Sequence, residues 1–143
     1  MYKKIFVPVD GSDTSNTALQ EAVKLAKEQG AQLRLSHVLE PLYHLDVEAY
    51  GDFRGVVQRE SQKLLDDAVA RARQGGAEVT GAVVDSAGRR VAATIVEEAQ
   101  KAGADLIVMG THGHRGFEHL VLGSVAEGVV RRATMPVLLI RGE

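Results

Sequence analysis

Apolar positions along the chain switch repeatedly between a strand-like and a helix-like period. Residues 3–9 are a nearly continuous β-prone run that stops at Asp10. From Thr14 to about Gln29 the apolar set Ala18, Leu19, Ala22, Val23, Leu25 and Ala26 recurs at helical spacing, and Gly30 supplies a stop. Leu33, Leu35 and Val38-Leu39 mark a second strand. Residues 40–53, which hold Pro41, Tyr43, Tyr50 and Gly51, read as irregular. A long helix then runs to Gln74, with Val57, Leu64, Leu65, Ala68, Val69 and Ala72 on one face, and Gly75-Gly76 ends it. The third strand covers residues 78–84, where Gly81 points to an edge position or a close backbone approach. Val91, Ala92, Ile95, Val96 and Ala99 mark a third helix. Residues 106–109 form a fourth strand, apolar on both faces. A last helix spans Ser124 to Arg132, and Val137-Leu138-Leu139-Ile140 closes the pattern as a fifth strand.

This βαβαβαβαβ alternation predicts a parallel sheet with helices on both faces, joined by right-handed crossovers. It has no linker or internal repeat, so residues 1–143 make one three-layer, Rossmann-like α/β domain. The all-apolar first and fourth strands need central, doubly covered places. The strand order 3-2-1-4-5 gives them that. It also sets the reversal of winding between those two strands, where open α/β sheets hold ligands beyond the strand carboxyl ends. Asp10-Gly11-Ser12 and the loop opening at Gly110 meet there.

Composition narrows the classes. In 143 residues, 45% are hydrophobic and 25% charged, the balance of a globular protein. The net charge of −2 gives no global basic field to draw the chain to nucleic acid. With no cysteine, disulfide frameworks, thiolate metal sites and catalytic thiols are excluded. The first apolar run is too short for a secretion signal, and no stretch approaches the roughly 20 apolar residues of a membrane span. A cytoplasmic protein away from membranes is expected.

The chemistry concentrates in residues 110–124, Gly-Thr-His-Gly-His-Arg-Gly-Phe-Glu-His-Leu-Val-Leu-Gly-Ser. The segment follows a strand and precedes a helix. Glycines there let backbone N–H groups approach an anion, and the helix start adds free N–H groups and a positive dipole end. Gly110, Gly113 and Gly116 do not have the G-x-G-x-x-G spacing, and no Walker A ending is present. The residues alone specify an anion-binding loop at a switch point.

The spacing Gly110-x2-Gly113-x9-Gly123-Ser124 resembles that of the universal stress protein family, whose ATP-binding members carry G-x2-G-x9-G-S/T after the fourth strand. Val9-Asp10-Gly11-Ser12 is similar to the family's first-strand ending, and Met135-Pro136-Val137 to the start of its last strand. The resemblance spans essentially the whole chain. It implies that Gly110, Gly113, Gly123 and Ser124, with the backbone of Val125, hold the phosphates of ATP (or AMP or ADP). It implies that Asp10 accepts from ribose hydroxyls, that the backbone near Val38 meets the adenine edge, and that Met109 lines the base pocket, with Pro8 also at the nucleotide site. Mg or Mn would ride on the phosphates. A homodimer through residues 137–140 is implied as well, and it would cover an apolar edge strand that is otherwise an aggregation liability.

Each of these residues has a structural alternative. Ser124 and Glu127 have the S-x-x-E spacing of a capping box, so Ser124 could simply cap its helix. Asp10 could organise the following turn through its own backbone, with Asp13 or Thr14 capping the first helix. Arg115 is either a phosphate partner or a solvated charge. His112, His114 and His119, with Glu118, either hold a metal or are exposed or touch phosphate. The aromatic residues Tyr43, Tyr50 and Phe53 make a flap over the nucleotide, form a partner surface or pack on the body. The functional expectation is a nucleotide-dependent sensor or regulator; a slow ATPase or autophosphorylating enzyme and a nucleotide-free interaction module are the alternatives.

Overall fold

The computed structural model of the chain describes residues 1–40, 47–112 and 122–142, with 47–52 as backbone only. The elements are β1 (Lys4–Pro8), α1 (Asp13–Gln29), β2 (Gln32–Leu39), α2 (Val47–Gln74), β3 (Glu78–Asp85), α3 (Val91–Lys101), β4 (Leu106–Gly110), α4 (Ser124–Arg132) and β5 (Val137–Ile140). All strands are parallel, in the order β3-β2-β1-β4-β5. The order and class read from the hydrophobic pattern are those observed.

Strand alternation divides the core into two layers. Ile5, Val7, Leu33, Leu35, Leu106 and Val108 face α1 and α2, whose Ala18, Ala22, Leu65 and Ala72 are buried on them. Phe6, Ile107 and Met109 face α3 and α4 and meet Ile95, Ala99, Ala126 and Val129. Each large side chain so buried contributes about 1.5–3 kcal/mol. The glycine in β3 answers to both of its expected causes. β3 is an edge strand, and a Cβ on Gly81 would lie 3.1–3.2 Å from Val69 and Leu65 of α2.

Three local readings change. Helix α2 begins at Val47, so 47–53 is helical rather than irregular; Gly51 and Gly55 each cost about 1 kcal/mol there, and the helix runs through both. Phe53 is 54% exposed and does not pack on the body, while Tyr43 and the Tyr50 side chain lie outside the described residues. Helix α1 is capped by Ser12, not by Asp13 or Thr14: the Ser12 hydroxyl accepts from Ser15 N–H at 3.2 Å. Gly30, at φ 67°, ends α1 in the left-handed conformation that glycine adopts without strain.

The pairing of β1 differs on its two sides. Toward β2 it runs from Lys4↔Gln32 through Pro8↔Ser36. Toward β4 it covers Ile5↔Leu106 and Phe6↔Ile107 and ends. Asp105 clasps the amino end of this seam by accepting from the backbone N–H groups of Lys3 and Lys4 at 2.8 and 3.1 Å. Beyond Phe6 the two central strands part, and a cleft opens at their carboxyl ends.

Candidate functional site

Proline belongs at the mouth of this cleft. Val9 donates its N–H to Ser36 of β2 at 2.8 Å, so the alternate residue Pro8 faces β4. Pairing with β4 has already stopped there, and the missing N–H of proline leaves no bond unmade.

The cleft has a volume of about 690 Å³, within the range of small-molecule sites. It brings together all eight candidates that fall among the described residues. Pro8, Val38 and Met109 sit along one side, where Val91 and Ile95 of α3 complete an apolar wall. Asp10, Gly110, Gly123, Ser124 and Val125 line the remainder. Gly113 and Arg115 lie outside the described residues, as do His114, Glu118 and His119.

The loop after β1 is built by side chain to backbone bonds. Ser12 N–H donates to Asp10 Oδ1 at 2.8 Å, and Asp10 N–H donates to Ser15 Oγ at 3.1 Å. Gly11 sits at φ 80°, which a side chain would strain. The turn-organising role of Asp10 is therefore present. Its carboxylate also lines the cleft, so position and turn role coincide.

The glycines serve different ends. A Cβ on Gly110 would fall 2.5 Å from Thr14 Cγ2, so this glycine is required by the packing of β4 on α1. A Cβ on Gly123 would meet Thr111 O at 3.1 Å and His112 Cα at 3.2 Å. The Gly123 N–H donates to Thr111 O at 2.6 Å, tying the start of α4 to the end of β4. That amide is engaged within the protein.

The capping-box reading of Ser124 is corrected. Gly123 is the N-cap, and no side chain caps the helix. Ser124 is one residue inside, where its hydroxyl cannot satisfy its own helix in the N-cap manner. Glu127 turns instead to Arg131, 2.6 Å away one turn on. The first-turn amides of Ser124, Val125 and Ala126 thus begin a helix without a side-chain cap, against the cleft. Helix α1, by contrast, has its cap filled.

Two lining residues, Ser36 and His37, carried no sequence signal, and the contacts of a third, the candidate His112, could not be read from it. His37 Nδ1–H donates to Val9 O at 2.8 Å and locks the end of β2 to that of β1. His112 has Thr111 Oγ1 at 3.1 Å from Nδ1 and Thr14 Oγ1 at 3.5 Å from Nε2. Ser36 is 2% exposed, and its hydroxyl has no hydrogen-bond partner among the described residues. A polar residue in an apolar strand run announces none of these contacts. Among the described residues no three His, Asp or Glu side chains converge as metal ligands, and no helix is long and apolar enough to cross a membrane.

Known proteins share this architecture. The universal stress protein family model matches residues 1–141. Universal stress protein MJ0531 of Methanocaldococcus jannaschii is 36% identical over 99% of this chain and 83% of its own length. Hypothetical protein MJ0577 superposes with a TM-score of 0.90 at 26% identity, covering 100% of this chain and 98% of that one. The Archaeoglobus fulgidus universal stress protein in complex with dAMP gives 0.74 at 28% identity over 97% of this chain and 98% of the other. A universal stress protein in complex with cAMP gives 0.72 at 27% identity over 98% and 97%. The chain belongs to the universal stress protein family.

Proposed function

We propose that the cleft binds an adenine nucleotide, with ATP the preferred form, and that the protein acts as a nucleotide-dependent sensor or regulator. The observation that carries this reading is the division of the cleft. One side is an apolar slot of Pro8, Val38, Val91, Ile95 and Met109, suited to a flat base. The other is a helix start without a side-chain cap, suited to an anion. Asp10 lies between the strand ends as an acceptor for sugar hydroxyls. The dAMP and cAMP complexes of family members support the same class of ligand.

In this reading Ser124, through its hydroxyl and amide, and the amide of Val125 bind phosphate oxygens. Gly123 contributes space rather than its N–H, and Gly113 and Arg115 complete the phosphate loop. The described lining contains two carboxylates, Asp10 and Glu40, and Asp10 Oδ1 already accepts from Ser12. Mg or Mn, when present, would be carried by the phosphates. Turnover needs a group that positions water or takes a proton. The described candidate, His112, has a threonine hydroxyl beside each ring nitrogen, which favours binding over rapid hydrolysis.

The edge strand β5 carries Leu138 at 41% exposure, and pairing with a second copy would cover it. A cytoplasmic homodimer completes the proposal. Isothermal titration with ATP, ADP, AMP and cAMP tests it. Saturable binding to the wild type is expected, lost in Gly123→Val with the circular dichroism spectrum retained. Equal affinity in the variant would refute the site.

A further inference from the structure

The helices of the α3/α4 layer do not cover the whole sheet. Val79 belongs to the core under α1 and α2, so Glu78, Thr80, Ala82 and Val84 of β3 point to the opposite face. None of these four joins the core beneath α3 and α4, and Glu78 and Thr80 are exposed. Between this bare strip and the last turn of α3 lies a groove of about 320 Å³. It is separate from the nucleotide cleft, and Ser36 lines both.

The lining of the groove is predominantly positive. Lys4, Arg34 and Lys101 contribute three cations, against the single carboxylate Glu98. Glu98 is held by Lys101 at 3.3 Å, so it offsets only that charge. Arg34 donates to Thr80 Oγ1 at 3.1 Å, which fixes its guanidinium over the groove and occupies one of its several N–H donors. Lys4 forms no ion pair among the described residues. This local excess of positive charge sits on a protein of net charge −2.

A second observation is independent of charge. The Ser36 hydroxyl, 2% exposed, has no partner among the described residues, although buried side-chain polar atoms in folded proteins are paired in the large majority. The register neighbours of Ser36 on β3 and β1 are Ala82 and Pro8, whose side chains carry no polar group. A hydroxyl at the floor, a guanidinium and two ammonium groups are the donor set of a phosphate dianion.

We propose that this groove is a second binding site, for a phosphate group carried free or on a small organic molecule. A groove of this volume takes a phosphate and a few further heavy atoms. The phosphate lies between Arg34 and Lys4, and Ser36 donates to it from below. The proposal is independent of nucleotide binding in the cleft.

Amide-resolved NMR titration of the ¹⁵N-labelled full chain tests it, with inorganic phosphate and glycerol 3-phosphate as probes and glycerol as the uncharged control. Saturable shifts are expected at Arg34, Thr80 and Ala82, weakening as sodium chloride is added. Arg34→Gln and Lys4→Gln should each weaken binding about tenfold, and Ser36→Ala should weaken it without changing the fold. Equal responses to the two probes identify free phosphate as sufficient; a preference for the ester identifies an organic phosphate. Either supports the site. Shifts confined to the cleft, shifts on β2 and β3 that do not saturate, or affinity unchanged in both cation variants would overturn it.

Discussion

Gly110 invites a functional explanation because it opens the glycine-rich loop, yet its geometry predicts a packing defect on substitution. Its backbone is not in the left-handed region, so a side chain brings no conformational strain. The difficulty is space. A methyl group would stand 2.5 Å from Thr14 Cγ2 and 3.3 Å from the Thr14 backbone carbon, where carbon atoms prefer about 3.5–4.0 Å. Helix α1 must move, since one of the obstructing atoms is its backbone. Overpacking of this kind costs roughly 1–3 kcal/mol, and the double contact argues for the upper half. At roughly 2–4 °C per kcal/mol for a chain near this size, Gly110→Ala should melt about 5–10 °C below the wild type. Thr14→Ser deletes Cγ2 and keeps the hydroxyl that faces His112 at 3.5 Å. Differential scanning calorimetry of the two single variants and the double variant completes the cycle. The double variant should recover at least half of the loss. Additive effects within about 0.5 kcal/mol, or a wild-type melting temperature for Gly110→Ala, would show that the close approach is not what makes position 110 a glycine.

Ser12→Ala removes the cap of α1 and should lower stability by about 1 kcal/mol, read as a melting temperature lower by about 2–4 °C; an unchanged value would contradict the cap. Asp10→Asn keeps an oxygen acceptor but loses the charge. Nucleotide affinity should fall about five- to tenfold by titration calorimetry, because a charged acceptor is worth about 1 kcal/mol more than a neutral one; equal affinity would remove Asp10 from the ribose site. Leu138→Lys on the exposed edge should turn a dimer into a monomer in sedimentation velocity, and a dimer that persists would assign the interface elsewhere.

The fold was legible because its signals are local and repeated. Apolar runs at 5–7 and 106–109 and the alternating Leu33 and Leu35 become buried strands, and their amphipathic partners become the helices that cover them. The position of the cleft followed from strand order alone. What each residue does there was less legible, because the deciding contacts join distant parts of the chain. Ser124-x-x-Glu127 has the spacing of a capping box, but the bond from Gly123 to Thr111 draws the cap back by one residue. Gly110 is needed by Thr14, 96 positions earlier, and no motif records that approach. Ser36 and His37 differ in role although adjacent, since the pleat turns one side chain toward each face of the sheet.

The uneven pairing of β1 has a mechanical consequence. The sheet is two rafts, β3-β2-β1 and β4-β5, joined by a short stitched seam at Ile5↔Leu106 and Phe6↔Ile107. Asp105 pins one end of the stitching, and the other end is unstitched. The cleft lies at that open end, and α1, which follows β1, packs on β4 there through Thr14 and Gly110. Asp10 rides on one raft and Ser124 is tied to the other through Gly123 and Thr111. A molecule bound to both would act as an added stitch across the open end.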